Sequence, residues 1–380
     1  MPLSHSKPLE STFAPHTPKV LALVAPTASG KTDLALELAT ALNAEIFSID
    51  SLSIYKHINI ASAKPSQAAL AQIPHYAIDV LEPSDHCSAA VFMELFAQAL
   101  KQCKKEFLLI VGGSGFYLSC LYEGLSSMPS LSQEQQTNID ERIRSLPDPY
   151  AFLADIDPQS ALRIAPSDTY RLHKLLSLYF TTHIAPSAYF ATHARSPLIP
   201  KPRIYTIHTP KPELHARIEA RTKAMLDAGL LDEARFLLET YGRFIQPFNA
   251  IGLKECLAYI DANNMDQNED SRGKAQIIEA PQAAGFAMRN RSFQAGGEGS
   301  YLSGSDRDFS TESTIYRAKP TPHIQNEDSR ELAHLITTHT RQLAKRQATY
   351  IRAKFQDAKA APRDALYELI LHDCAQQYQL

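Results

Sequence analysis

No stretch of this sequence is long and apolar enough to suggest a membrane span, and its opening, MPLSHSKPLESTFAPHTPK, lacks the continuous hydrophobic segment of a secretory signal. Residues 1–18 are therefore expected to form a flexible tail on a cytoplasmic protein with no membrane partner. Cysteine is sparse. Cys87, Cys103, Cys120, Cys256 and Cys374 are odd in number and far apart, with no C-x-x-C pair. That argues against a structural zinc or dithiol redox site and suits a reducing compartment. Positive charge is not in excess either, since 38 Lys and Arg stand against 41 Asp and Glu, for a net charge of −3. Any nucleic-acid site must come from local clusters of Lys and Arg. What remains is an ordinary globular composition, 44% hydrophobic and 21% charged over 380 residues. At roughly 100–200 residues per domain this suggests two or three cores.

Residues 19–24 (KVLALV) are a short apolar run that feeds a Ser/Gly loop, after which 32–42 places Leu34, Ala35, Leu38, Ala41 and Leu42 at helical spacing. Further strands are predicted at 45–49 (EIFSI) and 107–111 (FLLIV), with a helix over 89–102 between them. Residues 131–189 turn helical, as in SQEQQTNIDERIRSL and DTYRLHKLLSLYF, without a convincing strand. A return strand at 203–207 (RIYTI) then leads into an amphipathic helix over 213–228. Uninterrupted apolar strands separated by helices indicate a parallel sheet covered on both faces, so the fold class is α/β. The expected order is an α/β core at 19–130, a mostly helical inserted lobe at 131–200, and a return to the core at 201–261. A basic helix of the core at 331–360 and a C-terminal tail at 361–380 complete it.

Residues 262–330 break the pattern, being rich in Asn, Asp, Ser, Gly and Gln with scattered apolar residues, and are expected to be a disordered insertion. Within them QNEDSR occurs twice, at 267–272 and 325–330. An insertion that duplicated its target would leave such flanking copies.

The loop at 25–32 (APTASGKT) matches the phosphate-binding pattern G-x-x-x-x-G-K-[ST] except that Ala25 replaces the first Gly. It lies between a strand and a helix, as the motif requires, which makes the sheet P-loop NTPase-like. The backbone amides of Ala25, Pro26's successors Thr27, Ala28, Ser29 and Gly30, and the helix N-terminus would cradle an anion. Lys31 adds a point charge, and the Thr32 hydroxyl suits a Mg²⁺ ligand. Asp50, in IFSIDSLSIY, stands just past the second strand, where ligands gather in open α/β sheets. It is either a functional carboxylate or the cap of the turn that follows. The strand FLLIV runs into GGSGFY and not into the Asp that assists magnesium in phosphate-loop hydrolases, so activation of water is poorly provided for.

Taken in order, PTASGKT, IDSLSIYKHINIASAKP, IPHYAID, SAAVF, VGGSGFYL, RIEAR and TRQLAKRQATYIR resemble the successive motifs of the tRNA dimethylallyltransferase family. The likeness extends over most of 19–260 and 331–355. It implies a diphosphate donor, not ATP, on the loop at 25–32, a flipped-out adenosine opposite it, and a helical lobe gripping the anticodon stem-loop of tRNA. The donor would be dimethylallyl diphosphate, and the product a prenylated adenosine beside the anticodon. Catalysis would fall to Asp50 as general base and to Thr27, which resembles the family threonine on the bridging oxygen. Diphosphate would be held by the loop, Lys31, Thr32 and Arg221 in RIEAR, with Arg217 a weaker candidate. Asp50, Ser51, Leu52 and Ser53 would line the adenosine channel, and Ser114 would sit near it. The family usually has Gln in place of Ser53 and Thr in place of Ser114. In YRLHK, Arg171 and Lys174 resemble the segment that touches tRNA. At 100° per residue Arg341, Lys345 and Arg352 fall within about 40° of one another, giving RQLAKRQ a basic face for RNA phosphates. The cofactor would be Mg²⁺ and the expected state a monomer.

Two other readings share the loop. A nucleotide or small-molecule kinase would need an acceptor site and usually an Arg-rich lid, and nothing in 131–189 looks like one. A nucleotide-controlled RNA-binding protein would have no use for Asp50 with Thr27.

Overall fold

In the computed structural model, described over residues 17–126, 128–193, 196–270 and 327–378, the apolar runs become strands of one sheet. β1 (Lys19–Val24), β2 (Ala44–Ser48), β3 (His75–Tyr76), β4 (Phe107–Gly112), β5 (Arg203–Ile207) and β6 (Lys359–Ala361) lie in the order β3-β2-β4-β1-β5-β6. Every pair is parallel. β1 is central, with Leu23 beside Val111 of β4 and Tyr205 of β5. Side chains alternate across the sheet, and both faces are dry: Leu21 and Leu23 join one core, while Ala22 and Val24 join the other. That is why these strands read as unbroken apolar runs.

Four helices follow within the sheet-containing unit: α1 (Lys31–Ala41), α2 (Gln67–Gln72), α3 (Ala89–Gln102) and α4 (Gly115–Glu123). α1 covers one face through Leu34, Ala35 and Leu38. α3 and α4 cover the other through Phe92, Phe96, Leu118 and Leu121. A second compact unit then runs from Leu125 to Ser196. Its described residues form helices only: α5 (Gln133–Arg144), α6 (Pro149–Ile156), α7 (Pro158–Ala161), α8 (Thr169–Thr182) and α9 (Pro186–Thr192). Their starts are written locally, by a capping box at Ser132 and by Asp148 and Asp157, each followed by a proline at the first helical position. Ile139, Ile143, Leu153, Leu172, Leu176 and Phe180 make its core.

The chain returns to the first unit with α10 (Lys211–Asp227), α11 (Leu230–Tyr241), α12 (Leu253–Asp270), α13 (Glu327–Lys354) and α14 (Arg363–Tyr378). Two expectations need correction. Residues 262–270, expected to be disordered, extend α12, and α13 begins at Glu327, inside the proposed insertion. The rest of that insertion, 271–326, lies outside the described residues, as do 1–16 of the expected N-terminal tail. Of the expected tail at 361–380, residues 361–378 are structured: β6 ends at Ala361, and α14 buries Leu366, Ile370 and Cys374 against the α1 face. Asp373 fixes it there. Its carboxylate accepts the Tyr205 hydroxyl at 2.9 Å and the Lys359 ammonium at 2.6 and 2.7 Å. Burial opposes ionisation, but those bonds outweigh it and hold the carboxyl below its usual range. Among the described residues no helix is long and apolar enough to cross a membrane.

Candidate active site

The loop after β1 is held from several sides. The Ala25 amide donates to the Gly112 carbonyl at 3.2 Å, and Arg217 of α10 donates to the Ser29 carbonyl at 3.1 Å. Ala28 and Gly30 both take left-handed backbone angles, with φ of 62° and 84°. The curled loop opens onto the first turn of α1, whose amides have no carbonyl partner within the helix. This is the arrangement that receives phosphate oxygens. Ala25, at the departure from the usual Gly, is fully buried among the α1-side apolar residues, so its methyl group faces the core. Pro26 and Ser29 are buried as well, and the Ser29 hydroxyl is an orphan without a hydrogen-bond partner.

One cavity gathers Thr27, Lys31 and Thr32 with Asp50, Ser53 and Arg221. Asp50 caps the turn that follows it and also borders the cavity. Its Oδ1 accepts the amides of Leu52 at 2.9 Å and Ser53 at 3.2 Å, while the residue lines the same cavity as the loop. Ser53 is buried, and its hydroxyl shares a 3.0 Å hydrogen bond with that of Ser48. Part of the remaining wall is the segment Ser62, Ala63, Lys64 and Pro65. Lys64 was not singled out in the sequence. Its ammonium donates to Asp79 at 2.6 Å, to the Tyr55 carbonyl at 2.6 Å and to Asn59 at 3.1 Å, so it braces the wall.

The electrostatics are those of an anion site. Lys31 is half-buried, and burial pushes its ammonium down to about 8. Asp50 pulls in the other direction and Arg221 adds to the lowering. Burial likewise lowers Arg221, again opposed by Asp50. A shallower cleft adjoins the cavity, where Ala28, Gly30, Lys31 and Thr32 meet Arg217, Arg221 and Arg363. Arg363 comes from the helix that the sequence did not reveal, and it is engaged by Glu37 and Asp364.

Other candidates lie elsewhere. Ser51 is exposed, Leu52 and Ser114 are half-buried, and none of the three lines the cavity. Arg171 and Lys174 belong to α8 in the second unit, where Arg171 pairs with Asp168 at 2.9 Å and Lys174 stands 5.9 Å from the centre of the Tyr170 ring. On α13, Lys345 and Arg352 are exposed, whereas Arg341 is half-buried in a 3.1 Å ion pair with Glu219 of α10. The same helix carries Gln347, whose side-chain carbonyl accepts the Thr27 amide at 2.9 Å. The available signal was a polar residue one turn from the buried Ala344 and Ile351 of α13.

Comparison with known proteins gives consistent results. A family model described as IPP transferase matches residues 53–284. The tRNA dimethylallyltransferase of Helicobacter pylori strain J99 is 46% identical over 254 residues, 67% of this chain and 81% of that protein. The one from Sulfurimonas denitrificans is 35% identical over 357 residues, 93% of this chain and 99% of that protein. Among solved structures, the tRNA delta(2)-isopentenylpyrophosphate transferase of Staphylococcus epidermidis is similar with a TM-score of 0.53 at 23% identity, covering 95% of this chain and 99% of that one. A eukaryotic dimethylallyltransferase acting on tRNA gives 0.61 at 20% identity, covering 91% and 74%. At those identities the structures speak for the fold.

Proposed function

We propose that this chain, which belongs to the IPP transferase family, transfers a dimethylallyl group from dimethylallyl diphosphate to the exocyclic amine of an adenosine in tRNA, releasing diphosphate. The acceptor is the nucleotide 3′ to the anticodon, position 37. The observation that carries this reading is one cavity lined both by the phosphate loop with Lys31 and Arg221 and by Asp50. A hydrolase or kinase needs the loop. A transfer to a weakly nucleophilic amine also needs a base across from it.

The chemistry follows from that shared cavity. As the allylic C–O bond breaks, carbon gains positive character and charge builds on the departing diphosphate, where Lys31, Arg221 and the loop amides receive it. Thr27 lines the cavity and is suited to donate its hydroxyl to the bridging oxygen. The adenine nitrogen forms the new C–N bond and loses a proton to Asp50. A stacked adenosine cannot reach a recessed carboxylate, so the nucleotide swings out of the anticodon loop into the cavity. Thr32 fits as a ligand for Mg²⁺, which takes one or two protein oxygens and completes its shell with phosphates and water. Bound there, the ion would add positive charge at the leaving group. Arg171 and Lys174 on α8, and Lys345, Arg352 and the paired Arg341 on α13, are the candidates for tRNA phosphates.

The test is to incubate the protein with undermodified tRNA and dimethylallyl diphosphate, digest the RNA, and map the products by mass spectrometry. One dimethylallyl group per tRNA, on the adenosine after the anticodon, is expected. No addition, or transfer of phosphate from ATP instead, would refute the assignment.

A further inference from the structure

The phosphate loop makes a contact that comes from far along the chain. Gln347 lies on α13, 320 residues beyond Thr27, and its Oε1 accepts the Thr27 amide at 2.9 Å. On that helix it is half-buried, one turn from Ala344 and Ile351, which are 2% and 5% exposed. A polar side chain there is unfavourable unless hydrogen-bonded, and the bond it makes is to the loop.

The approach depends on absent side chains. A Cβ on Gly113 would fall 2.4 Å from Gln347 Nε2, and one on Gly115 would fall 2.7 Å from the Tyr350 ring. Tyr350 shares a 3.2 Å hydrogen bond with the Ser119 hydroxyl. The turn after β4 is thus bare where α13 descends on it, and the helix delivers Gln347 to the loop through that gap. Because the Thr27 amide is taken by Gln347, the Thr27 hydroxyl is left as the donor that this residue offers to the cavity.

We propose that Gln347 is a positioning residue, which sets the phosphate loop for diphosphate by holding the Thr27 backbone. The proposal rests on the diphosphate reading of the loop given above. It also assigns part of the RQLAKRQ segment to the donor side, while Lys345 and Arg352 on the same helix point to solvent. Gly113 is then the matching half of the device, required by Gln347 and not by the turn itself.

The experiment compares the full-length parent with Gln347→Met, which keeps length and apolar contact but has no carbonyl, with Gly113→Ala, and with the double variant. Binding of inorganic pyrophosphate and of undermodified tRNA is measured for each, along with single-turnover prenyl transfer and a thermal melt. Gln347→Met should fold and bind tRNA as the parent does, yet bind pyrophosphate about fivefold to tenfold more weakly, the worth of one ordering hydrogen bond. Its transfer rate should fall by a similar factor. Gly113→Ala should do the same, and the double variant should be little worse than either, since both break one contact. Parent-like pyrophosphate binding in Gln347→Met, or full multiplication of the two losses in the double variant, would overturn the proposal. If Gln347→Met fails to fold, Gly113→Ala with unchanged pyrophosphate affinity overturns it alone. Pyrophosphate binding needs no transfer, so a parent that prenylates nothing while Gln347→Met still loses affinity would refute the reaction and uphold the role of Gln347.

Discussion

Glu233 of α11 accepts the backbone N–H of Asn59 at 2.7 Å, and the same carboxylate takes the amides of Ile60 at 2.8 Å and Ala61 at 2.9 Å. One side chain therefore satisfies three successive donors in the loop that brings Ser62 through Pro65 to the cavity wall. Glu233→Ala strands those amides, one of them in the buried Ala61. A loss of about 2–3 kcal/mol is expected, since bonds to a charged acceptor are worth about 1.5–3 kcal/mol each and some of the amides will find water. Glu233→Gln keeps one acceptor oxygen and should lose less. Thermal melts rank the three proteins, and equal melting temperatures would show that the loop stands without Glu233.

Lys31 gives the site a pH dependence with a definite sign. Its ammonium is pushed down to about 8, chiefly by burial, so in the free protein it is charged at neutral pH and loses its proton above 8. The donor's last phosphate proton leaves near pH 6, to judge by phosphate monoesters at about that value, so the ligand does not change over this range. Affinity for dimethylallyl diphosphate should fall about twofold between pH 7 and 8 and then more steeply, approaching tenfold per unit. Stability of the unliganded protein moves the other way. A lysine whose folded value lies below its unfolded one disfavours folding at low pH, and that penalty is relieved progressively as pH rises from about 8 to the unfolded value of 10.5. Donor titrations from pH 7 to 9.5 check the first statement, and an affinity flat to 9.5 would contradict it.

What the sequence revealed depended on whether a signal was local. β1, β2, β4 and β5 were legible because strands buried on both faces are written as apolar runs, whereas β3 and β6 are two- and three-residue edge strands containing His75, Tyr76 and Lys359. α14 was missed because Leu366, Leu369, Ile370 and Leu371 scatter around its axis, and because its anchor, Asp373, has partners in distant segments. In the cavity, the loop and Asp50 follow from motifs and strand ends. Lys64, Arg363 and Gln347 do not, because each reaches its place through the docking of a separate element.

The duplicated hexamer yields a prediction about stability. The core residues of α12 are Leu253, Cys256 and Ile260, and those of α13 begin with Leu332 and Ile336, so no core side chain among the described residues falls within the duplicated stretch. Deleting residues 267–324, which leaves one QNEDSR, should retain fold and activity. Closure entropy grows slowly with loop length, so removal should be neutral or add on the order of 1–2 kcal/mol. A melting temperature well below that of the parent would show that the segment supports the fold.

The central claim is that Asp50 and the phosphate loop share one cavity to perform a transfer. The most direct measurement is single-turnover prenyl transfer by Asp50→Asn, with donor and tRNA both saturating and donor affinity determined in parallel. Asn can still accept the Leu52 and Ser53 amides through its side-chain oxygen, so the turn should hold. The account predicts a rate at saturating donor reduced by roughly 100-fold or more, as the loss of a general base entails, with a far smaller change in donor affinity. A variant that transfers at the parent's rate would contradict it.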